Sequence, residues 1–226
     1  MQVKVGIVDS GVSRAQRGTL AACVGIAPGG AGVERAVAHD DLMGHGTAVA
    51  QIILAEAPHA QLVSAQAFAG LRQADAACVA AGIDWCIEQR VRIVNLSMGL
   101  ATDEPVLSAA CRAAVAHGAI VIAAFPARGG SVYPAAYPGV LAVSGDARCG
   151  VGAWSIIEEQ RLYGAAPFAA DGLTPGGASY AAARLSGRAA RFLASWPGAG
   201  ADDFRRWLEA GAAFRGRERR RAKELA

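Results

Sequence analysis

Short, uninterrupted apolar runs alternate with helix-like segments along most of this chain. Strands that are apolar throughout are typical of parallel strands whose two faces are both covered by helices. The sequence therefore predicts an α/β fold of three layers, with a mainly parallel sheet flanked by helices. The predicted strands are 3–8, 61–67, 91–98, 119–124 and 140–144, and the predicted helices between them are 45–55, 74–89 and 105–117.

The two ends of the chain differ in character. Residues 1–197 contain no repeat, linker or shift in composition, and we interpret them as one domain. Residues 198–226 are predicted to add a helix at 202–212 and a basic tail. The run 215–221 holds five arginines and one glutamate in a chain of net charge +3, and it is typical of a solvated end, so no nucleic-acid partner is expected. Residues 13–40, rich in glycine and alanine, are predicted to be loops with one short strand.

The five cysteines are scattered and form no C-x-x-C pair. This pattern is typical of reduced thiols in a cytosolic protein, and the dispersed histidines offer no metal site. No apolar run reaches the length of a membrane span, and the chain opens directly on a predicted strand instead of a signal peptide. These features predict a cytoplasmic protein without a metal, cofactor or membrane partner, and leave its oligomeric state open.

Asp9 follows the first predicted strand and precedes Gly11. In a parallel sheet, reactive groups collect at the carboxyl ends of the strands. A carboxylate that leaves a buried strand is held in a fixed pose, which is what the orienting partner of a histidine requires. Taken alone, an aspartate at a strand end before a glycine is more often a turn former.

His45 stands between Gly44 and Gly46 at the start of a predicted helix. The two glycines leave room for a substrate backbone to approach the imidazole, which can serve as a general base. The alternative is a surface histidine in a glycine-rich turn.

Ser179 follows two glycines and an alanine at the start of an alanine-rich helix. A serine in this position is commonly a helix cap. As a nucleophile it would also profit from the free N–H groups and the positive dipole at the helix start, which favour a developing oxyanion.

The three segments occur in the order Asp, His, Ser, which is the order in subtilisin. With them, the chain resembles the subtilisin-like serine proteases (subtilases, peptidase S8) over about residues 3–196, in a minimal form without a pro-segment. The connecting segments that share the resemblance are 57–60, 83–87, 93–99 and 133–143.

The resemblance implies a three-layer subtilisin-like fold and a serine endopeptidase acting on a peptide or protein substrate. Ser179 would attack the peptide carbonyl, His45 would transfer its proton, and Asp9 would hold the imidazole. The segment Ser97, Met98 and Gly99 would pair with an extended substrate, and the Ser179 N–H would be one oxyanion donor.

The chain departs from the family where an oxyanion asparagine is usual. That position aligns with Ala127, which has no side-chain donor. In subtilisin, loss of this donor lowers kcat by about 10²–10³. We expect that Arg128, Asn95 or a water substitutes for it, or that the enzyme is slow.

The substrate pocket also differs from the family pattern. Phe125 and Pro126 replace small residues of the pocket wall, and Val132 replaces a glycine of its floor. This bulk predicts cleavage after small residues such as alanine or glycine. Together with the missing calcium loop and pro-segment, it suggests the maturation of a peptide precursor.

Three alternatives remain open. The first is a weak or inactive relative that binds peptides through 97–99. The second is a nucleotide-binding α/β protein with a phosphate cradle at 6–11 or 29–30, although no G-x-G-x-x-G or P-loop signature is present. The third is a hydrolase with a G-x-S-x-G elbow, but the segment 177–181 lacks the second glycine and every histidine precedes it.

Overall fold

The computed structural model describes residues 2–30, 32–68 and 75–218, and within them ten strands form one sheet. The strand order across the sheet is β10-β8-β9-β7-β6-β5-β1-β4-β2-β3. The strands are β1 (Lys4–Asp9), β2 (Leu20–Gly29), β3 (Gly32–Ala36), β4 (Gln61–Gln66), β5 (Ile93–Leu96), β6 (Ile120–Ala124), β7 (Leu141–Gly145), β8 (Trp154–Glu158), β9 (Leu162–Ala165) and β10 (Phe214–Arg215).

The described helices cover both faces of this sheet. They are α1 (His45–Glu56), α2 (Ala76–Glu88), α3 (Pro105–Ala116), α4 (Gly177–Ser195) and α5 (Ala201–Gly211), with a 3-10 turn at Arg17–Thr19. None of the helices in the described ranges is both long and apolar enough to cross a bilayer.

Successive residues of the central strands enter two separate cores. Ile7 and Ile93 point toward α1 and α4, whereas Val8 and Val94 point toward α2 and α3. The alternation follows from the period of two in a strand, and it explains why these strands are apolar at every position.

The pairing of the strands confirms the predicted mainly parallel sheet. Seven pairs run parallel, including the central neighbours β4·β1, β1·β5, β5·β6 and β6·β7. The two antiparallel pairs, β2·β3 and β8·β9, lie toward the ends of the sheet.

The prediction of loops with one short strand for residues 13–40 is wrong for the middle of this segment. This segment forms β2 and β3, an antiparallel hairpin at one edge of the sheet. All residues of β3 are exposed, and β2 alternates between exposed and half-buried positions over most of its length. An edge strand that covers little core carries no continuous apolar run, so the pattern that revealed the central strands is absent.

The C-terminal residues pack on the same core as the rest of the chain. Phe204 and Leu208 of α5 are fully buried in the core beneath α4, and β10 pairs with β8 in the same sheet. The sequence had set these residues apart as a helix and tail after residue 197. Most of the predicted basic tail, residues 219–226, lies outside the described residues.

Candidate active site

The candidate residues meet at one edge of the sheet because of the topology. β1 and β5 are parallel neighbours, so Asp9 at the end of β1 and Ser97 just after β5 lie at the same edge. α1 begins at His45 and packs against α4, whose third residue is Ser179. The fold therefore brings the beginnings of both helices to the ends of these two strands.

Asp9 and His45 form a direct hydrogen bond. The Nδ1 atom of His45 lies 2.7 Å from Oδ1 of Asp9, and the carboxylate side chain is fully buried whereas the imidazole is 28% exposed. Because an ionised carboxylate only accepts hydrogen bonds, Nδ1 carries the proton and Nε2 is left as an acceptor. Ser10 donates to the same Oδ1 from its backbone N–H, at 2.7 Å.

A second carboxylate, Asp41, fixes the start of α1. Its Oδ1 accepts from the Ser10 hydroxyl at 2.8 Å and from the Gly44 N–H at 2.9 Å. Its Oδ2 accepts from the Thr47 hydroxyl at 2.6 Å and from the Thr47 N–H at 2.9 Å. Gly44, the residue in the N-cap position, has no side chain to cap the helix, so Asp41 supplies the acceptor from three residues earlier.

These carboxylates affect the pKa of His45. Burial alone would lower the pKa of the imidazole, but the hydrogen bond that His45 donates to Asp9 and the charges of Asp9 and Asp41 outweigh this effect. The pKa of His45 is therefore raised above its ordinary value of 6.5. Such a base binds a proton more readily than a free imidazole, which suits a group that must accept one.

Gly46 explains why a glycine follows the histidine. A Cβ atom at this position would collide with the carbonyl oxygen of Gly11 and would lie 3.1 Å from Oδ1 of Asp9. The Gly46 N–H also donates to the Ser10 hydroxyl at 3.0 Å. The absence of a side chain thus lets α1 approach the end of β1 closely enough for His45 to reach Asp9.

Ser179 lies against Ser97. Its hydroxyl donates to the Ser97 carbonyl oxygen at 2.8 Å, and the Ser97 hydroxyl donates to the Ser179 carbonyl oxygen at 2.9 Å. Within the described ranges no hydrogen bond joins Ser179 to His45. The structure thus brings Asp9 and His45 into contact and directs the Ser179 hydroxyl toward the end of β5.

Tyr180 is a neighbour of His45 that the sequence analysis did not single out. The two rings stack with their centroids 6.2 Å apart and their planes 26° apart. An aromatic residue directly after the candidate nucleophile was the available signal, but its ring reaches the histidine only because α1 and α4 pack together.

The position of Asn95 does not suit the role of oxyanion donor that was expected from the sequence. It is fully buried in β5, where its amide donates to the Ser97 hydroxyl at 2.8 Å and its oxygen accepts from the Ser186 hydroxyl at 3.0 Å. Ser186, Asn95, Ser97 and Ser179 thus form one chain of hydrogen bonds between α4 and β5. The amide supports the site from below and presents no surface to a substrate.

Ala127 and Arg128 follow β6 and are both exposed. They line a cavity of about 450 Å³ at the ends of β6 and β7, together with Pro126 and Gly145. The N–H of Ser179 is among the first four of α4, which have no acceptor within the helix. These are the groups from which an oxyanion site would be built.

The expected substrate-binding segment is held beside a second loop. The segment Ser97, Met98 and Gly99 is followed by Leu100. Leu100 exchanges backbone hydrogen bonds of 2.7 and 2.9 Å with Tyr133, which lies in the second loop. A Cβ atom on Gly99 would come within 3.2 Å of the Val132 side chain. The Val132 side chain therefore packs directly against the backbone of Gly99.

Phe125 and Pro126 are both half-buried just after β6. Phe125 packs against the core on the α2 and α3 side. Its ring thus occupies volume next to the segment that holds Val132.

The part of the chain that the structure describes contains no group of three or more His, Cys, Asp or Glu side chains arranged to hold a metal ion. The five cysteines, all within the described ranges, are unpaired, and four of them are buried.

Comparison with known proteins gives three concordant results. The Subtilase family profile matches residues 1–155. The minor extracellular protease Epr of Bacillus subtilis (strain 168) is 34% identical over 154 residues, which are 63% of this chain and 23% of that protein. The chain therefore spans less than a quarter of the length of this relative.

Two solved structures share the fold. A cold adapted subtilisin-like serine proteinase has a TM-score of 0.72 at 20% identity, covering 93% of this chain and 84% of that chain. The prenylagaramide maturation protease PagA has a TM-score of 0.68 at 19% identity, covering 92% of this chain and 82% of that chain. At these identities the likeness establishes the fold alone, and it confirms the predicted subtilisin-like three-layer arrangement.

Proposed function

We propose that this chain, which belongs to the subtilase family, is a serine endopeptidase with Asp9, His45 and Ser179 as its catalytic triad. The observation that carries the proposal is the 2.7 Å hydrogen bond between His45 Nδ1 and Asp9 Oδ1, at the sheet edge where α4 begins. The family match covers Asp9 and His45 but ends at residue 155. The assignment of Ser179 therefore rests on its place in α4 and on the resemblance of its segment to the family.

In the proposed reaction, the Ser179 hydroxyl attacks the carbonyl carbon of the peptide while His45 Nε2 takes its proton. His45 then returns this proton to the leaving amine, and Asp9 stabilises the intermediate imidazolium. The Ser179 hydroxyl first leaves the Ser97 carbonyl by rotation about its Cα–Cβ bond, which moves it between staggered rotamers. A substrate strand that pairs with the Ser97 segment would compete with the Ser179 hydroxyl for this segment, and would therefore favour the rotation.

The proposed oxyanion site consists of the Ser179 N–H with help from Arg128 or a water. Asn95 is left out because its amide is buried beneath the site. A site with one fewer fixed donor stabilises the tetrahedral intermediate less well, so we propose a slow enzyme.

The proposed substrate is a peptide with a small residue before the cut. Val132 lies against Gly99, and Phe125 and Pro126 add bulk after β6. Each excluded methylene discriminates by only about 1–3 kcal/mol, so the preference is graded and not absolute.

Maturation of a peptide precursor is the proposed biological role, and the cytoplasm the proposed compartment. The role is supported by the fold shared with PagA, which is described as a maturation protease. The compartment is supported by the five unpaired cysteines, since free thiols are typical of reducing environments. The division into a peptidase domain at 1–197 and a C-terminal part at 198–226 remains a prediction.

A second candidate function is peptide binding without cleavage. It is favoured by one observation, the hydrogen bond from the Ser179 hydroxyl to Ser97 in place of His45. The missing side-chain donor at Ala127 points in the same direction.

Mass spectrometry of a peptide library incubated with the wild type and with Ser179→Ala separates these candidates. We expect cleavage after alanine and glycine by the wild type and no cleavage by the variant. Efficient cleavage after phenylalanine or leucine would contradict the narrow pocket. Peptides retained intact by both proteins would favour the binding function.

A further inference from the structure

A groove lined by aromatic and basic side chains lies at the end of α4 remote from Ser179. It consists of two adjoining cavities of about 480 and 610 Å³ that share four lining residues, namely Phe192, Ser195, Trp196 and Trp207. Arg188 follows Ser179 by nine residues on the same helix, a rise of about 13.5 Å. The groove is therefore separate from the candidate active site.

The apolar wall of the groove is built from three of the four tryptophans of the chain. Trp154 and Trp207 stack with ring centroids 4.6 Å apart, and Phe192 lies 4.9 Å from Trp196. Trp196 is 53% exposed, a large fraction for the largest apolar side chain. Aromatic surfaces of this kind are enriched where proteins bind other chains.

The basic wall contains a buried arginine, Arg188, beside an exposed one, Arg191. Arg188 is only 5% exposed, and its guanidinium lies 5.0 Å above the ring of Trp154. One of its nitrogens, Nη1, donates to the Gly152 carbonyl oxygen at 2.8 Å. Its Nε atom is buried without a hydrogen-bond partner, and its Nη2 atom lies 3.4 Å from Oε2 of Glu56 without forming a hydrogen bond.

The charges around Arg188 are not balanced. Glu56 is the carboxylate of this cluster, and it lies 3.3 Å from Arg184 and 3.4 Å from Arg188. Arg191, which is exposed, lines the same cavity and adds a further positive charge. The acidic residue at the far end of the groove, Asp203, is already paired with Arg206.

The neighbouring positive charges of this cluster help to lower the pKa of Arg188 itself. Burial lowers its pKa, and the neighbouring Arg191 and Arg184 lower it further against the opposing effect of Glu56. An anionic ligand in the groove would offset this positive charge, whereas a cationic one would add to it.

We propose that this groove binds an acidic segment of a partner protein, with a carboxylate on the exposed Arg191, in the positive field of the buried Arg188, and apolar side chains on Trp196 and Trp207. Arginine presents its donors in a fork that matches a carboxylate, and aromatic faces accept the apolar side chains between the acidic ones. The site lies outside the proposed catalytic machinery and does not depend on the proposed protease activity.

Intrinsic fluorescence of the full chain carrying Ser179→Ala tests this proposal, because three of its four tryptophans line the groove. The probe is an acetylated and amidated peptide that alternates leucine with glutamate. Its matched twins carry glutamine or lysine in place of glutamate. We expect the acidic peptide to change the emission saturably and to bind about tenfold more tightly than the glutamine twin, or ~1.4 kcal/mol.

Two variants locate the binding. Arg191→Gln, an exposed substitution that leaves the buried cluster intact, is expected to weaken binding of the acidic peptide several-fold. Arg112→Gln, an exposed change on α3 across the sheet, is expected to leave it unchanged. Binding of the acidic peptide is also expected to fall as salt is added.

Equal affinity for all three peptides, or affinity unaffected by Arg191→Gln, would overturn the proposal. An emission unchanged by the acidic peptide up to about 1 mM would overturn it as well. A concentration-dependent dimer in sedimentation, blocked by Trp196→Ala, would assign the groove to a second copy of the chain instead. Because the test uses the Ser179→Ala chain, its outcome is independent of whether the wild type cleaves peptides.

Discussion

Ser179 and Ser97 hold one another through two reciprocal hydrogen bonds. The hydroxyl of Ser179 donates to the Ser97 carbonyl oxygen at 2.8 Å, and the hydroxyl of Ser97 donates to the Ser179 carbonyl oxygen at 2.9 Å. The pair joins the start of α4 to the end of β5, and Asn95 extends it into the core. The proposed nucleophile is thus fixed in place by the same strand extension that is proposed to bind the substrate.

Ser97→Ala is predicted to weaken this junction. The substitution removes the acceptor of the buried Asn95 amide, and an unsatisfied buried donor costs about 1–3 kcal/mol. Urea unfolding should show a loss of stability of that size. Ser195→Ala, an exposed change at the far end of α4, should stay within about 0.5 kcal/mol of the wild type. Equal midpoints for the wild type and Ser97→Ala would contradict the hydrogen-bond chain.

Asp41→Asn is predicted to shift the pH dependence of the proposed activity. The base must be neutral to act, and its raised pKa places the acid limb of kcat/KM above pH 6.5. Removing the Asp41 charge lowers the pKa of His45, so the limb should move to lower pH. Asp40→Asn is the matched control, because Asp40 is exposed and bonds only to the backbone of Arg14 and Asp41.

The raised pKa of His45 also makes the stability of the fold depend on pH. Stability falls as the pH rises, whereas the proposed activity increases. Protonated His45 stabilises the folded chain fully below pH 6.5, and this contribution disappears as the pH rises through the folded value. Asp41→Asn should therefore reduce stability more at pH 6 than at pH 9. An acid limb that does not move in Asp41→Asn, or that moves equally in Asp40→Asn, would show that Asp41 has no influence on His45.

Glu56→Gln is predicted to be strongly destabilising. Glu56 is 6% exposed and pairs with Arg184 and Arg188 between α1 and α4, so the neutral amide leaves two buried cations without a counter-charge. Removing one partner of a buried pair typically costs about 3–5 kcal/mol. Glu88→Gln, which breaks an exposed pair with Arg35, should cost far less. Comparable losses in the two variants would mean that the Glu56 cluster is solvated.

Ala127→Asn is predicted to raise turnover. An asparagine at this place would supply a second oxyanion donor beside the Ser179 N–H, and such a donor is worth up to about 10²–10³ in kcat. The gain should appear in kcat with little change in KM, because the donor acts on the transition state. An unchanged kcat would mean that Ala127 does not occupy the oxyanion position.

The central strands and the helices were predictable because their apolar patterns are set by two buried cores. The edge hairpin of β2 and β3 carries no such pattern and was not predicted. The strands β8, β9 and β10, near the opposite end of the sheet, were not predicted either. β8 mixes tryptophan and isoleucine with serine and glutamate, so its strand character comes from its neighbours in the sheet.

The site was predictable only in part. The contact of Asp9 with His45 follows from a strand end and a helix start that the sequence marks with glycines. The role of Asp41 depends on a loop that folds back on Ser10, and the contact of Tyr180 depends on helix packing. The direction of the Ser179 hydroxyl is a choice between rotamers that local partners decide, and no sequence pattern encodes it.

Labelling with a fluorophosphonate probe, followed by peptide mapping, tests the proposed triad most directly. A serine activated by a histidine forms a covalent adduct, whereas an ordinary hydroxyl does not. The proposal predicts an adduct on Ser179 in the wild type and in Ser195→Ala, and none in Ser179→Ala or His45→Ala. A wild-type chain that stays unlabelled, or an adduct that persists in Ser179→Ala, would contradict it.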